Sequence, residues 1–401
     1  MDAADFRALW EGLTPIGRSS GGGYLRYSWS EADQACRNWF RTQADKRDME
    51  VETDRNGNLY AWWGPRHERG AILTGSHFDS VPHGGAYDGP LGIASAFLAI
   101  DLLREAGAKP GRPIGVVAFV EEEGGRFGVP CVGSRLMTGA LDPDRARGLV
   151  DADGVTLAEA MDATAADTTI LGADPERLAG IGAFVELHIE QGRALDGANA
   201  PVGVASAIWP HGRWRFTITG EANHAGTTML ADRYDPMLTA AFMILAARKE
   251  ARIVGGLATV GHVESDPGAT NVIPGTVRAW LDARAPEQTD LDQILDGIRS
   301  KVRERAERDR TRVSVAVESE SPLVDFDGGL RDRIVSLLGG APVLPTGAGH
   351  DAGVLAAHVP TAMLFVRNRT GVSHAPDEQA DDEDCAAGVG ALAAVLRELA
   401  C

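Results

Sequence analysis

The stretch Ala71-Ile-Leu-Thr-Gly-Ser-His77 predicts a buried β-strand, because a short apolar run suits a strand that is covered on both faces. The residues after it change type in turn: 91–106 has the pattern of a helix, 113–121 is another apolar strand, and 183–188 is a third. Strands that alternate with helices favour an α/β fold with a sheet between helical layers.

The residues before this strand predict a helix followed by a hairpin. Ser30 is a suitable N-cap for a helix over 30–47. Asn56-Gly57 lies between two strand-like runs, 49–53 and 59–63, and this dipeptide is a strong signal for a tight turn. The chain is therefore expected to enter the sheet through an antiparallel hairpin.

The pattern changes after about Trp209, where the element order becomes β-α-β-β-α-β, as in a ferredoxin-like unit. The predicted elements are 213–220, 236–249, 257–263, 275–283, 290–308 and 312–317. We predict a domain over 209–320 that is inserted into a catalytic domain formed by 1–208 and 321–401. Thr289 and Asp292 predict a variant capping box at the start of the second helix, and a closing helix is expected over 384–400.

The bulk composition indicates a globular protein with two domains. A chain of 401 residues is too long for one ordinary core, and its 44% apolar and 24% charged residues are in the usual range. Lys and Arg number 39 against 57 Asp and Glu, which gives a formal net charge of −18. This excess of acid argues against a nucleic acid or an anionic membrane as a partner.

Cysteine spacing and the N-terminal sequence favour a cytoplasmic protein. The four cysteines are scattered without a CxxC pair, so neither a disulfide framework nor a zinc ribbon is predicted. The first residues lack the basic start and apolar core of a signal peptide. The most apolar stretch, 237–247, is too short to span a bilayer.

Histidines and carboxylates follow the predicted strands, where α/β proteins commonly bind ligands. His77 ends the first strand, Asp88 lies in a glycine-rich loop, Glu123 follows the second strand, His188 ends the third, and His374 lies in a late loop. This mixture of ligands suits two divalent ions such as Zn²⁺, Mn²⁺, Co²⁺ or Ni²⁺. Asp88 has two oxygens and could bridge them.

Two neighbouring carboxylates suggest separate roles at this site. Adjacent side chains in an extended segment point apart, so one carboxylate of the pair Glu122 and Glu123 can bind metal while the other faces the reacting water as a general base. Asp79 is expected to share a face with His77 and to hydrogen-bond its imidazole. Taken singly, each of these residues is better interpreted as part of a solvated acidic strand end, and a lone histidine such as His67 or His358 as a structural residue.

Eight motifs occur in order along nearly the whole chain, and together they are far more specific than any single residue. They are Gly75-Ser-His-Phe-Asp-Ser-Val-Pro, Gly84-Gly-Ala-Tyr-Asp-Gly-Pro-Leu-Gly, Glu122-Glu-Gly-Gly-Arg-Phe, Glu186-Leu-His-Ile-Glu-Gln-Gly, Gly220-Glu-Ala-Asn-His-Ala-Gly-Thr-Thr, Asn271-Val-Ile-Pro-Gly, Gly347-Ala-Gly-His-Asp-Ala and Ser373-His-Ala-Pro. With these motifs the chain resembles the metal-dependent amidohydrolases of the M20 peptidase superfamily. The nearest branch is the hydantoinase/carbamoylase family of N-carbamoyl-L-amino acid hydrolases and allantoate amidohydrolases.

The resemblance implies a zinc-peptidase-like catalytic domain with a mixed sheet, and a ferredoxin-like lid that also forms the contact of a homodimer. It implies hydrolysis of an N-carbamoyl-L-amino acid to an amino acid, ammonia and carbon dioxide, with Glu122 as the general base. It divides the five candidate ligands between two metals that share Asp88: His77, Asp88 and His188 for one, and Asp88, Glu123 and His374 for the other.

The resemblance also implies residues that contact the substrate, a small ureido or carbamoyl acid. His224 falls on a position that stabilises the tetrahedral oxyanion, commonly in the neighbouring subunit's site, although by itself it also reads as a surface histidine. Asn271 and Arg284 fall on positions that hold the free carboxylate, a task that suits the two-pronged contact of arginine. Without that context, Arg284 is equally consistent with a surface ion pair.

Three more positions are implied to lie near the reacting group. Gln191 matches a position that contacts the ureido or carboxylate end, while Gly349 and His350 match a loop near the scissile bond. His350 is equally consistent with a structural role. The chain departs from many relatives at Met229-Leu230, which replaces Pro-Met after Gly226-Thr-Thr and leaves the side-chain preference of the enzyme open.

Three alternative functions stay open from the sequence. An allantoate amidohydrolase would perform the same chemistry on a diureido acid. A dipeptidase or aminoacylase of the wider superfamily is disfavoured by Gln191, Asn271 and Arg284, which match the carbamoylase branch. A binding protein without catalysis is disfavoured because Glu122 and all five candidate ligands are present.

Overall fold

The computed structural model describes residues 2–64, 69–164 and 166–401, so His67 lies outside the described residues. Helices in this part of the chain are α1 (Ala3–Trp10), α2 (Glu31–Asp45), α3 (Pro90–Glu105), α4 (Val132–Thr138), α5 (Pro143–Arg147), α6 (Leu157–Asp162), α7 (Pro175–Gly180), α8 (Ala194–Ala198), α9 (Pro236–Val254), α10 (Gln288–Asp309), α11 (Gly328–Leu337), α12 (Asp351–Leu355) and α13 (Asp382–Ala400). Strands are β1 (Glu50–Thr53), β2 (Leu59–Trp63), β3 (Ala71–His77), β4 (Ile114–Phe119), β5 (Ile181–Ile189), β6 (Val202–Ile208), β7 (His211–Thr219), β8 (Asn223–His224), β9 (Leu257–Asp266), β10 (Val272–Ile273), β11 (Thr276–Arg284), β12 (Arg312–Ser321), β13 (Val324–Asp325), β14 (Val343–Thr346) and β15 (Thr361–Val366).

The larger sheet is mixed, with nine strands among the described residues in the order β1-β2-β4-β3-β5-β15-β6-β13 and β14 beside β6. Strands β4, β3, β5 and β15 are parallel neighbours, whereas the pairs β1–β2, β2–β4 and β15–β6 are antiparallel. Every residue of β3, β4 and β15 is buried. The predicted α/β fold with a mixed sheet is confirmed, and the apolar runs reflect strands covered on both faces.

The predicted N-terminal helix and hairpin are confirmed. Ser30 caps α2 by accepting a hydrogen bond from the backbone N–H of Asp33. Strands β1 and β2 pair antiparallel, with Thr53 opposite Leu59. Gly57 in the turn has a φ of +89°, which lies in the left-handed region that glycine adopts without steric cost.

Contacts divide the chain into two compact units. The first comprises Met1–Ser206, Asp325–Leu344 and Gly349–Cys401, and the second comprises Ala207–Val324 and Pro345–Ala348. In the first unit, α3 packs against β3 and α13, and the core includes Phe97 of α3 and Leu392 of α13.

The second unit contains an antiparallel sheet in the order β12-β7-β11-β9, together with α9 and α10. Alternate residues of β7 and β11 are buried, as expected for a sheet with one covered face. Their buried side chains share a core with Met243 of α9 and Ile298 of α10. Of the described helices, α9 included, none is both long enough and apolar enough to cross a membrane.

The predicted capping box at Thr289 and Asp292 is wrong. Helix α10 begins at Gln288, and its N-cap is Glu287, whose side chain makes no capping hydrogen bond. An N-cap needs extended backbone, which Glu287 has with φ −125° and ψ 154°. Thr289 already lies in the first turn, and Asp292 instead accepts a hydrogen bond from the Gln288 side chain at 2.9 Å.

Candidate metal centre

Strand ends of the first unit bring the five predicted ligands together. His77 is the last residue of β3, His188 is the next-to-last residue of β5, and Glu123 follows β4. Because β3, β4 and β5 are parallel neighbours, their carboxyl ends meet at one edge of the sheet. Asp88 lies just before α3, and His374 lies in the loop between β15 and α13.

Asp88 lies at the centre of two ligand groups. Its Oδ1 is 3.2 Å from Nε2 of His188 and 3.5 Å from Nε2 of His77. Its Oδ2 is 3.3 Å from Nε2 of His374, which lies 3.4 Å from a carboxylate oxygen of Glu123. In each group of three residues, the candidate ligand atoms all lie within 4.8 Å of one another.

The donor atoms of the first group fit a divalent cation. Nδ1 of His77 donates to the backbone carbonyl of Asp79 at 2.9 Å, and Nδ1 of His188 donates to that of Ile189 at 2.9 Å. These contacts leave the lone pair of each Nε2 exposed to the centre. Both Nε2 atoms are buried and have no hydrogen-bond partner among the described residues. A coordinated cation would satisfy these otherwise costly nitrogens.

The electrostatics of the centre also favour added positive charge. Burial opposes protonation of His77, but the charges of Glu122 and Asp88 raise its pKa well above the usual value. Burial likewise opposes protonation of His374, while its contacts with Asp88 and Glu123 raise its pKa to about 9. Burial and the charge of Asp88 raise the pKa of Glu123 to about 7. A site with this excess of carboxylate suits cations.

Glu122 lies beside the ligand groups but belongs to neither of them. Its carboxylate is buried, and Oε2 is 3.7 Å from Nε2 of His77. Burial and the neighbouring charge of Asp351 raise its pKa well above the usual value for a glutamate. A buried carboxyl group that holds a proton more readily than usual is suited to proton transfer near neutral pH.

The predicted contact of the Asp79 carboxylate with His77 is wrong. Its oxygen is 3.8 Å from Nδ1, which instead bonds the backbone carbonyl of Asp79. The carboxylate accepts the backbone N–H groups of Glu122 at 3.1 Å and Glu123 at 3.0 Å. Strand β3 ends at His77, so Asp79 does not continue its side-chain alternation. Asp79 therefore fixes the backbone that carries the carboxylate pair.

Glu378 is a supporting residue that the sequence reasoning missed. Its Oε1 accepts the backbone N–H groups of Tyr87 and Asp88, each at 3.0 Å, and Oε2 accepts the hydroxyl of Ser373 at 3.1 Å. It thereby joins the loop of Asp88 to the loop that carries His374. The only available signal was its position four residues after His374.

A third group of possible ligands comprises Glu186, His188 and His350. Glu186 accepts the hydroxyl of Ser76 at 2.7 Å and the backbone N–H of Ala352 at 3.2 Å. Both ring nitrogens of His350 are buried without a hydrogen-bond partner among the described residues, and its ring lies 4.5 Å from that of His188. Residues two positions apart on a strand point to the same face, so the spacing of Glu186 and His188 on β5 could have indicated that their side chains lie together.

Close approach of the backbone shapes the loop before α3. A Cβ atom at Gly89 would lie 2.5 Å from the His77 ring, and its φ is +85°. Only glycine fits such a position without displacing the imidazole. His374 and Glu121 also have positive φ values, 54° and 52°, and neither is glycine. Backbone strain of this kind is concentrated at functional sites.

Gln191, predicted to contact substrate, touches the ligand groups. Its Nε2 donates to Oδ2 of Asp88 at 2.8 Å and lies 3.4 Å from Nε2 of His374. Its Oε1 is buried and has no hydrogen-bond partner among the described residues. Gly349 is exposed and immediately precedes His350.

His224 lies in the second unit on a short ribbon formed by β8 and β10, and Asn271 directly precedes β10. His224 is exposed, and its Nδ1 accepts the backbone N–H groups of Gly226 at 3.0 Å and Thr227 at 3.1 Å. The backbone carbonyl of Asn271 accepts the N–H of Ala225 at 3.0 Å. Because Nδ1 accepts, Nε2 of His224 is the N–H donor of the ring.

Arg284 ends β11 in the same unit and is held by two neighbours. Asp282 accepts from Nε at 2.8 Å and from Nη2 at 2.9 Å, and the carbonyl of Gly347 accepts from Nη1 at 2.6 Å. A guanidinium group has five N–H donors. One donor on each Nη therefore remains, which is the arrangement that a carboxylate accepts in a two-pronged contact.

The fold and these ligand groups define an α/β protein with a centre that could hold two metal ions. The model of the peptidase family M20/M25/M40 matches residues 73–398. The chain belongs to this family, and the predicted superfamily is confirmed.

Individual relatives agree with this assignment over almost the full length. The chain is 36% identical to an N-carbamoyl-L-amino acid amidohydrolase of Geobacillus stearothermophilus, over 98% of both chains. It is 33% identical to an allantoate amidohydrolase of Escherichia coli, over 97% of this chain and 96% of the relative. A solved hydantoinase/carbamoylase family amidase from Burkholderia vietnamiensis is 29% identical, with a TM-score of 0.87 over 99% of this chain and 97% of that one. The predicted amidohydrolase class is confirmed.

Proposed function

We propose that this chain hydrolyses the carbamoyl amide of an N-carbamoyl-L-amino acid and releases the amino acid, ammonia and carbon dioxide. The observation that carries the proposal is the pair of ligand groups that share Asp88, with the Glu122 carboxyl next to them but outside both. The full-length similarity to an N-carbamoyl-L-amino acid amidohydrolase supports this substrate class.

Two divalent ions, Zn²⁺, Mn²⁺, Co²⁺ or Ni²⁺, are the proposed cofactors. His77, Asp88 and His188 would hold one, and Asp88, Glu123 and His374 would hold the other. When bound, such ions polarise a carbonyl group and lower the pKa of a coordinated water. The unpartnered Nε2 atoms of His77 and His188 support this assignment.

Glu122 is the proposed general base and acid. It takes a proton from the attacking water and transfers it to the leaving nitrogen. Its raised pKa supports the second half of this cycle, because the protonated carboxyl must persist until the nitrogen leaves. Asp79 holds the backbone N–H groups of Glu122 and Glu123, which keeps the two side chains directed to different tasks.

The second unit is proposed to supply the substrate contacts. Nε2–H of His224 would donate to the oxyanion, and such a donor is worth roughly 2.7–4 kcal/mol in the transition state. The free N–H groups of Arg284 would hold the substrate carboxylate together with Asn271. The orientation of Arg284 by Asp282 and Gly347 supports this role, since the guanidinium is fixed before substrate arrives.

Three residues of the first unit are proposed to contact the ureido end. Gln191 directs its amide nitrogen to Asp88, so its unpartnered Oε1 would accept an N–H of the substrate. His350 has two unpartnered ring nitrogens available for the same group. Gly349 would let the substrate approach the backbone closely.

Residues 209–320 are proposed to act as a lid and as the contact of a homodimer in the cytoplasm. The exposed apolar side chains of α9, among them Leu238, Leu245 and Ile253, support a contact surface on this unit. Lid closure would bring substrate contacts to the reacting group and exclude water.

Allantoate is the second candidate substrate. Allantoate amidohydrolases of Escherichia coli and Bacillus subtilis are 33% and 32% identical to this chain over almost its full length. The same chemistry would act on a ureido group of this diureido acid. A dipeptidase or aminoacylase activity and a binding protein without catalysis are the less favoured alternatives.

A substrate panel tests the proposal directly. The metal-loaded protein is incubated with N-carbamoyl-L-amino acids of different side chains and with allantoate, and ammonia release is measured. Release from a carbamoyl amino acid is expected, whereas release from allantoate alone would replace it with the second candidate. The His77→Ala variant is the control, and it should lose both activity and bound metal. Undiminished activity in metal-free protein would refute the proposal that hydrolysis depends on bound metal.

A further inference from the structure

A cavity of about 300 Å³ lies between α2, the turn that joins β1 to β2, and the segment after α6; none of the candidate metal ligands lines it. Arg37 and Arg41 of α2 and Arg55 of the turn line this cavity, together with the neutral side chains of Gln34 and Thr53. The whole chain has a formal net charge of −18. The wall also carries the carboxylates of Asp54 and Asp167, so three arginines against two aspartates give the lining residues a formal charge of +1.

The two arginines of α2 differ in how their charges are balanced. Arg37 donates from Nε to Asp33 at 2.9 Å and from Nη1 to the carbonyl of Gly57 at 2.9 Å. Arg41, one turn further on, contacts only the amide oxygen of Asn38 at 3.4 Å and makes no ion pair with a described residue. Burial and the charge of Arg37 lower the pKa of Arg41. Arg41 therefore lines the cavity without a direct ion pair to a described residue.

The third arginine is also weakly balanced. Arg55 is 3.8 Å from the carboxylate of Asp174, and its Nη1 donates to the carbonyl of Ala173 at 3.3 Å. Its side chain is 45% exposed, so this long contact neutralises little of its charge.

The acidic residues of the cavity wall are already engaged with their own loops. Asp54 accepts the backbone N–H groups of Asn56 and Asn58 and the side-chain amide of Asn58, at 2.8–2.9 Å. Asp167 accepts the backbone N–H and the hydroxyl of Thr169 at 2.9 and 2.6 Å. These contacts tie the carboxylates to local turns rather than to Arg41.

We propose that this cavity binds a small oxyanion, with a carboxylate or phosphate group held between Arg41 and Arg55. The planar guanidinium groups match the two oxygens of such an anion, and Gln34 and Thr53 add neutral hydrogen bonds. The volume is at the lower end of the range for small-molecule sites, which suits a metabolite rather than a macromolecule.

Two hydrogen-bonded routes connect the wall of this cavity to the segment of Glu122. Trp29 lines the cavity, and the adjacent Ser28 accepts the backbone N–H of Glu121 at 3.0 Å. On the other side, Asn58, which donates to Asp54 of the wall, accepts the N–H of Val120 at 3.1 Å. The proposal therefore extends to turnover: an anion bound in the cavity would shift the backbone that precedes the general base and so change kcat.

Calorimetric titration of the metal-loaded protein tests the binding, with inorganic phosphate and succinate as separate probes at fixed ionic strength. One anion per chain is expected to bind, and the tighter probe distinguishes a phosphate ligand from a carboxylate ligand. Arg41→Gln should weaken binding about tenfold or more, because it removes a charged donor. Arg145→Gln, at an exposed arginine of α5 that is not part of the cavity wall, is the matched control and should bind as the wild type does.

Equal affinity of the wild type and Arg41→Gln for the anion would overturn the proposed site. That result would mean that the anion binds elsewhere, for example at the metal centre. Binding of neither probe would overturn it as well. Arg55→Gln repeats the test from the opposite wall if the first variant fails to fold. For the connection to turnover, the saturating anion should change kcat at least twofold in the wild type and leave Arg41→Gln unaffected. An unchanged kcat in wild-type protein with bound anion would refute the connection.

Discussion

The histidines of the candidate metal centre and the histidine of the β8–β10 ribbon are fixed by the backbone in opposite ways. Nδ1 of His77 and of His188 donates to a carbonyl, which leaves a lone pair on Nε2. Nδ1 of His224 accepts two amide N–H groups, which leaves a proton on Nε2. One side chain thus serves as an electron-pair donor in one region and as a proton donor in the other, and the backbone selects the tautomer.

The two regions also differ in burial. His77 and His188 are 0% exposed and sit on strands within the larger sheet, so long-range packing fixes them. His224 is exposed, and the hydrogen bonds of its ring come from residues within three positions of it. A buried candidate metal ligand is already oriented before the substrate binds. An exposed hydrogen-bond donor acts only after a substrate has been placed next to it. The predictions below test this difference.

The largest effect is expected for Glu122→Gln, which removes the proposed base from the buried region and keeps its size. We expect kcat to fall by about 10²–10⁴-fold, because proton transfer is lost while the ligand groups are intact. Bound metal, measured by mass spectrometry, should stay at the wild-type level. The matched control is Glu105→Gln, at an exposed residue of α3, and it should leave kcat unchanged. Loss of metal together with activity would make Glu122 a ligand instead.

The next effect concerns the exposed region. His224→Ala should lower kcat by about 10²–10³-fold, since one oxyanion donor is removed. Metal content and thermal stability should not change, because the ring contacts only neighbouring amides. His262→Ala is the control, at an exposed histidine of β9 in the same unit. An equal loss of activity in both variants, or a loss of metal in His224→Ala, would contradict the separate roles given to His224 and to the histidines of the candidate metal centre.

Sequence reasoning located the candidate ligands because each stands at a recognisable local boundary. An apolar run that ends in His77 or His188 predicts both the strand and the position of the side chain at its end. The antiparallel hairpin could be predicted for the same reason, since Asn56-Gly57 is a local signal. Eight motifs in order then separated these residues from ordinary strand ends.

Other features depend on contacts between distant parts of the chain, which no local pattern reveals. Glu378 supports the amide of Asp88 across 290 positions, and Glu186 supports Ala352 across 166. The Asp79 carboxylate does not accept the predicted hydrogen bond from His77, because the strand ends before Asp79. The capping box failed because α10 begins one residue before Thr289. Strand β15, at the middle of the sheet, received no prediction, since its apolar run has no distinctive neighbour.

A smaller effect is expected for Gly89→Ala, which perturbs the buried region without removing a ligand. The added Cβ would meet the His77 ring at 2.5 Å, so the imidazole must shift. Metal affinity should fall about 10–100-fold, as for other changes that misorient a ligand. Gly107→Ala is the control, with a similar positive φ of +69° and open space around it. It should lower the free energy of unfolding by only about 1–2 kcal/mol, the cost of a left-handed backbone for alanine. Equal metal affinity in both variants would contradict the steric account.

The smallest effect is expected for Asp282→Asn, which loosens the orientation of Arg284 and keeps the guanidinium. Asp282 contributes a two-pronged contact at a partly exposed position, so its charge is worth little by itself. The KM for a carbamoyl amino acid should rise about fivefold or less, with kcat nearly unchanged, because a carboxylate anchor binds ground state and transition state alike. Glu264→Gln, at an exposed ion pair of β9, is the control. A fall in kcat of the size expected for His224→Ala would show that Arg284 acts on the reacting group, and the second unit would then hold two catalytic contacts instead of one.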